Sequence, residues 1–196
     1  MLLYLCINQF MLTVDITQTD YQSVKNIIDQ NIENFWHFSC RIIFVTDFYE
    51  SKIIRDLVGY FLEKNMIFSP WNARFILITD ELVNNAIEHG SRPGDVNECT
   101  IHFKTTKRKL KISIEVHDSW KGKDSISSEG MNALQEKKMQ EVLWKTPYLR
   151  RRGRGLFHIT SKLVDSLYFK DAIDGWLIVW IQKSFTHEEI LKKSLI

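Results

Sequence analysis

The sequence predicts an α+β fold, a two-layer α/β sandwich in which helices cover one face of a mostly antiparallel sheet. Amphipathic helical patterns dominate the first half of the chain, and pairs of alternating strands joined by short polar stretches follow in the second. Helices gathered before and between antiparallel hairpins pack as two layers. A doubly wound parallel sheet would need regular alternation of strand and helix, which this chain lacks.

The first half of the chain contains three predicted helices. Apolar residues recur at helical spacing over residues 21–35, and residues 41–45 form a short β-branched run typical of a strand. A second amphipathic helix is predicted to begin at Asp47. The third is predicted over residues 73–90, where Gly90 can act as its C-cap.

The second half contains two predicted hairpins. Alternating polar and apolar residues predict strands over residues 96–105 and 110–117, and again over 166–170 and 176–182. Residues 155–164 and the tail from residue 186 are predicted as helices. Residues 119–152 have no clear periodicity, and we expect a long loop there.

Composition places the chain among soluble globular proteins. Its 196 residues suit one domain, with 44% hydrophobic and 26% charged residues. The net charge of +2 argues against nucleic acid as the main partner, although lysines near the turn of the first hairpin and the arginines of residues 150–154 are local basic clusters. Such clusters are usually solvated faces, and no aromatic residues interleave them.

The cysteines and the N-terminus favour a cytoplasmic protein. Cys6, Cys40 and Cys99 are odd in number and lack CxxC or zinc-ligand spacing, so reduced thiols are expected. Residues 1–12 are apolar, but they are too short to span a bilayer and lack a basic leader region. They are expected to form a surface or edge strand; the alternative is that Met11 is the true start. No membrane association is expected.

The third predicted helix carries a polar stripe. Glu81, Asn85 and His89 are each four residues apart, so they lie along one helix face. A carboxylate and an amide one turn apart offer a general base and an oxygen ligand for a hard cation. Taken alone, such a stripe is more often a solvated helix face.

Two later segments could complete a site. Asp118 follows a predicted strand and can accept a hydrogen bond from an exocyclic amine, while Gly122 lets the backbone approach a flat ring; a turn-forming Asp is the alternative. Paired glycines in the segment Arg152-Gly153-Arg154-Gly155-Leu156 precede a predicted helix, where backbone N–H groups can meet an anion.

In this order, the three segments resemble the nucleotide-binding boxes of the gyrase, heat-shock-chaperone and histidine-kinase superfamily, which has the Bergerat-type ATP-binding fold. The helix pattern ExxxNAxxHG is the specific part, and the resemblance spans residues 41–182. Glu81 and the lack of a phosphoacceptor helix make the chain most similar to bacterial anti-sigma-factor serine kinases. His89 is not expected to be a phosphoacceptor. The implied division is an N-terminal extension over 1–39, the ATP-binding domain over 40–184 and a tail over 185–196.

The resemblance implies a role for each matching residue. Asn85 would bind Mg²⁺, Asp118 would bind the adenine amine, and Gly122 would lie beside the nucleotide. Gly153, Arg154, Gly155 and Leu156 would hold the ATP phosphates under a lid formed by residues 119–152. Glu81 would orient or deprotonate a Ser hydroxyl of a protein substrate, and Arg152 would help to neutralise the transferred phosphoryl group.

The implied function is an ATP- and Mg²⁺-dependent serine/threonine protein kinase that regulates transcription by partner switching. Its partners would be a sigma factor, an antagonist of the anti-sigma factor, or both, and a homodimer is possible. The alternative is a weak or inactive module of the same fold that sequesters a regulatory protein. DNA binding whose affinity falls as the salt concentration rises would instead favour the hypothesis of a nucleic-acid-binding protein.

Two positions depart from the family pattern. The second box usually reads DxGxG, but Trp120 stands at the first Gly, and Trp176 stands where the last strand commonly has a Thr that supports the Asp. ATP affinity could therefore be weak, the base could stack on Trp, or the pocket could be filled. Fold alone does not decide among these.

Overall fold

The computed structural model describes residues 10–17, 19–31, 37–65, 67, 69–106, 109–122, 126–144, 163–186 and 189. The helices are α1 (Tyr21–Asn31), α2 (Phe48–Lys64), α3 (Trp71–Asn85), which continues as a π-helical turn (Ala86–Gly90), and α4 (Ser128–Trp144). The strands are β1 (Phe10–Asp15), β2 (His37–Val45), β3 (Val96–Thr105), β4 (Lys109–Asp118), β5 (Ser166–Asp171) and β6 (Leu177–Thr186).

The strands form one open sheet in the order β1-β2-β3-β4-β6-β5. All neighbouring strands are antiparallel except β1 and β2, which run parallel, so the predicted mostly antiparallel sheet is confirmed. Strand β1 is an edge strand. The predicted division at residues 39/40 and 184/185 stays a prediction.

Alternate strand residues build the core between sheet and helices. In β3 and β4 the fully buried side chains include Cys99, Ile101, Ile112 and Ile114, and they join apolar residues of α2 and α3 in one cluster. Side chains in between point to the other face. Asp118, at the end of β4, continues the core-facing row.

Helices α2 and α3 pack side by side on the sheet. Asp47 caps α2, as its side chain accepts a hydrogen bond from the backbone N–H of Tyr49. Gly59 lets α3 approach closely, since a Cβ there would lie 3.0 Å from Cδ1 of Ile76. At the other end of the pair, the Ser51 hydroxyl donates to Oδ1 of Asn84 at 2.8 Å. This contact fixes the C-terminal turn of α3 against α2.

Two sequence expectations about helices need correction. The α-helix ends at Asn85, and Gly90 ends a π-helical turn and is not an α-helical C-cap. The segment 119–152, expected as a long loop, contains helix α4. The apolar residues of α4 do not recur on one helix face, so the pattern that reveals an amphipathic helix is absent there.

The predicted helices over 155–164 and beyond 186 fall almost entirely outside the described residues. Across the described part of the chain, the helices are too short or too polar for any of them to cross a membrane.

Candidate functional site

The solvent-facing side of α3 carries the first two residues of the predicted stripe. Glu81 and Asn85 are each half-buried and lie one helical turn apart. Partial burial first, then the nearby carboxylates Asp80 and Glu88, raises the pKa of Glu81. A carboxylate with a raised pKa is a better proton acceptor near neutral pH.

The predicted stripe does not continue regularly to His89. Beyond Asn85 the chain forms the π-helical turn, in which four residues no longer make one turn. The side chain of His89 is 53% exposed and lies 3.7 Å from the carboxylate of Glu88. The α-helical part of the site is therefore Glu81 and Asn85. π-helical turns are frequent at functional sites.

The end of the π-helical turn lies against the carboxylate of Asp118. A Cβ at Gly90 would lie 2.1 Å from Oδ2 of Asp118, so only glycine leaves room for this carboxylate. Helix α3 and strand β4, the first two segments recognised in the sequence, thus meet through direct contact between Gly90 and Asp118.

Asp118 is a buried carboxyl with few charged neighbours. Burial raises its pKa to about 6, while hydrogen bonds from the backbone N–H groups of Trp120 and Leu177 act in the opposite direction. The Trp120 bond to Oδ1 measures 2.9 Å. Leu177 pairs with Asp118 in the sheet register, so β6 supplies a backbone donor to this carboxyl.

Gly122 packs on the same turn. Its N–H and that of Lys121 both donate to the carbonyl oxygen of Gly90 at 3.0 Å. A Cβ at Gly122 would lie 2.0 Å from the carbonyl oxygen of His89. Glycine at this position therefore allows the loop after β4 to close on the π-helical turn.

A buried polar network, which the sequence did not reveal, holds this loop. The Ser91 hydroxyl donates to Oδ1 of Asn97 at 2.5 Å and accepts from the backbone N–H of Ser119 at 3.0 Å. The Ser119 hydroxyl donates to Asp95 at 2.6 Å, and Asn97 donates to Thr46 at 2.9 Å. The network ties the residue after Asp118 to β3 and to Thr46, which follows β2. The sequence did not predict this network, because its polar residues occur singly and follow no helix or strand periodicity.

The two tryptophans that depart from the family pattern lie in different places. Trp120 is 40% exposed, and its indole lies beside Gly175, where a Cβ would be 4.0 Å from its Cε3 atom. Trp176 makes an edge-to-face contact with His117, with ring centroids 6.4 Å apart. Because His117 and Asp118 are consecutive in β4, they point to opposite sheet faces. Trp176 is thus on the face away from Asp118.

The structure therefore brings Asp118, Gly122 and the π-helical turn that follows α3 together. Arg152, Gly153, Arg154, Gly155 and Leu156 lie outside the described residues, so their predicted roles stay predictions. Fold and site together define an open α/β sandwich in which a helix end and a sheet strand enclose a buried carboxyl.

Comparison with known protein families matches residues 51–183 to the histidine kinase-like ATPase domain. The match covers more than half of the chain, and the chain belongs to the histidine kinase-like ATPase domain family. Among solved structures, a chain in the crystal structure of the SiaB-SiaC complex from Pseudomonas aeruginosa is similar, with a TM-score of 0.40 and 10% sequence identity over 86% of this chain and 99% of that chain. No curated protein matches.

The described residues include one candidate oxygen ligand for a cation. Asn85 is half-buried on α3, and its amide oxygen is a ligand type that hard cations accept. Within the described ranges there is no cluster of three or more His, Cys, Asp or Glu that could hold a metal alone. Mg²⁺ is commonly held by one or two protein oxygens together with substrate phosphates, which suits a site with one amide.

Proposed function

We propose that this chain is an ATP- and Mg²⁺-dependent serine/threonine protein kinase of the anti-sigma-factor type. The observation that carries the proposal is the pair Glu81 and Asn85, one turn apart on the open side of α3 and beside the turn that contacts Asp118. The pair offers a proton acceptor and a cation ligand in one place. A module that binds a nucleotide without transferring its phosphoryl group would need only the cation ligand.

In this proposal, Asn85 holds the magnesium ion of bound Mg-ATP. Asp118 accepts a hydrogen bond from the adenine amine, which suits a buried carboxyl that two backbone N–H groups already orient. Gly122 lies beside the nucleotide, and Gly153, Arg154, Gly155 and Leu156 hold the phosphates, with residues 119–152 as the lid. Bound ATP supplies the phosphoryl group.

Glu81 is the proposed catalytic base. A Ser hydroxyl of a protein substrate would donate to the Glu81 carboxylate, which would orient it and take its proton. The hydroxyl oxygen would bond to the γ-phosphorus as the bond from that phosphorus to the bridging oxygen breaks, and ADP would leave with that oxygen. The raised pKa of Glu81 supports this role. Phosphoryl transfer depends mainly on positioning and charge neutralisation, and Arg152 is the proposed source of positive charge.

The proposed partners are a sigma factor and an antagonist protein that carries the acceptor Ser. Phosphorylation of the antagonist would decide which partner the kinase holds, in a cytoplasmic setting and with the kinase as a possible homodimer. The second candidate is a module that sequesters a partner without turnover. The observation behind this second candidate is the bulky Trp120 close to Asp118, at a position where the resemblance implies glycine.

The test is a trapping experiment. Glu81→Gln protein, loaded with Mg-ATP, is used to isolate binding partners, and the complex is then mixed with wild-type protein and γ-labelled ATP. The kinase proposal expects phosphoserine on the trapped partner with wild type and none with the variant alone. ATP binding by both proteins without transfer by either would instead establish the sequestering module.

A further inference from the structure

We propose that Trp120 provides a stacking surface for the purine base, so that aromatic contact and the Asp118 carboxyl together hold the base. This inference rests on the proposed function, because it requires a purine at Asp118. Stacking of a base on an aromatic side chain is worth roughly 5- to 100-fold in affinity. Loss of this contact should therefore be measurable as a fall in nucleotide affinity.

Trp120 lies in the loop after β4, and its backbone contacts the carboxyl of the candidate base site. Its backbone N–H donates to Oδ1 of Asp118 at 2.9 Å, so the side chain begins within two residues of the carboxyl. The indole lies over Gly175 and remains 40% exposed. A ring that filled the pocket would be buried, whereas this ring keeps part of its surface available to a ligand.

The backbone of Trp120 supports a functional role. Its φ of 49° is in the left-handed region, which a bulky residue seldom adopts and which glycine adopts freely. Residues in such conformations persist where the surrounding structure holds them, and they concentrate at binding sites. Here the bond to Asp118 and the buried neighbour Ser119 hold the loop.

Trp176 does not share this role. Its ring contacts His117, which points to the sheet face opposite Asp118. Substitution of Trp176 therefore removes an indole from the same end of the sheet without touching the base. It is the matched control.

Stacking on Trp120 and hydrogen bonding of the base to Asp118 predict different selectivity between purine nucleotides. Every purine has an aromatic face, so loss of Trp120 weakens ATP and ITP binding by the same factor. ITP carries a carbonyl oxygen in place of the exocyclic amine, so Asp118 discriminates between the two nucleotides. Changing Asp118 alters the ATP-to-ITP ratio, and changing Trp120 does not.

The experiment measures dissociation constants of Mg-ATP, Mg-ITP and magnesium tripolyphosphate by calorimetry. The variants are Trp120→Phe, Trp120→Leu, Trp120→Gly and Trp176→Leu. Leucine keeps apolar bulk and the same backbone strain, whereas glycine relieves the strain. We expect Trp120→Phe and Trp176→Leu to bind like wild type. Trp120→Leu and Trp120→Gly should lose roughly 5- to 100-fold for both nucleotides but not for tripolyphosphate.

Failure of the stacking role and failure of the proposed function give different results. If wild-type protein binds ATP and Trp120→Leu binds it equally well, the stacking role is wrong while the nucleotide site stands. If Trp120→Gly binds ATP more tightly than wild type, Trp120 obstructs the site and the inference is overturned. If folded wild type binds neither nucleotide, the proposed function fails and the stacking role fails with it.

Discussion

Replacing Gly90 by alanine should disrupt the site through one contact. The new Cβ would lie 2.1 Å from Oδ2 of Asp118, about 1.3 Å closer than the 3.4 Å at which ordinary contacts begin. The carboxyl cannot simply rotate away, because backbone N–H groups of Trp120 and Leu177 hold it. Overpacking of this kind costs about 1–3 kcal/mol.

Two readouts follow for Gly90→Ala. Each kcal/mol lowers the melting temperature of a chain this size by about 2–4 °C, so we expect a fall of roughly 2–12 °C. Displacing the carboxyl also removes the proposed hydrogen bond that the adenine amine donates to this charged acceptor, worth about 1.5–3 kcal/mol, so ATP affinity should fall roughly 10- to 100-fold. Thermal unfolding and calorimetric titration measure the two effects.

Gly94→Ala is the matched control. Gly94 also needs glycine, with φ of 86°, but a Cβ there would meet nothing within 4 Å. The variant should lose about 1 kcal/mol through left-handed strain and leave ATP affinity unchanged. A double-mutant cycle with Asp118→Ala sharpens the test, since removing the carboxyl relieves the shortest contact of Gly90→Ala. Unfolding free energies that add within about 0.5 kcal/mol would refute the contact.

Four further predictions concern carboxylates. The pKa of Asp118, raised from 3.8 to about 6, predicts that ATP binding weakens as pH falls through 6, by up to about ten-fold per pH unit; Asp118→Asn should bind ATP independently of pH there. Because the pKa of Asp118 is raised, its ionised carboxylate destabilises the folded protein at pH 7, and this destabilisation disappears below about pH 4. Unfolding free energies of wild type and Asp118→Asn at both pH values measure the effect. Glu81→Gln should keep ATP affinity within about two-fold and lose phosphoryl transfer by roughly 10²- to 10⁴-fold, measured by label transfer. His102 and His117, whose Nε2 atoms each lie 3.4 Å from the Glu115 carboxylate, lower the pKa of Glu115 to about 2. Glu115→Gln should therefore lower the melting temperature at pH 6, and the difference from wild type should shrink as pH falls from 4.5 toward 2.

Periodicity predicted most of the fold. Strand β3 matches its prediction over residues 96–105, and β4 extends its prediction by one residue at each end, because one buried face imposes strict alternation. The parallel pairing of β1 with β2 was not predicted, since pairing partners depend on the whole sheet. Helix α4 was missed because its surface is not amphipathic.

The sequence motifs proposed Glu81, Asn85 and Asp118 as site residues, and their roles stay predictions. The motifs did not predict the contacts of these residues: Gly90 was expected as a helix cap, whereas the structure places it against the Asp118 carboxyl. The change from α- to π-helix after Asn85 depends on tertiary contacts with the loop of Gly122. Side-chain polarity alone cannot reveal such a change.

The most direct test of the ATP site is a calorimetric titration of purified protein with ATP in Mg²⁺ and in EDTA, for wild type and Asn85→Ala. If Asn85 holds the cation of a bound nucleotide, wild type binds ATP with micromolar affinity only when Mg²⁺ is present, and Asn85→Ala loses this binding while melting like wild type. No binding by a cooperatively folded wild-type protein at millimolar ATP would contradict the account and leave the fold as a protein-interaction module.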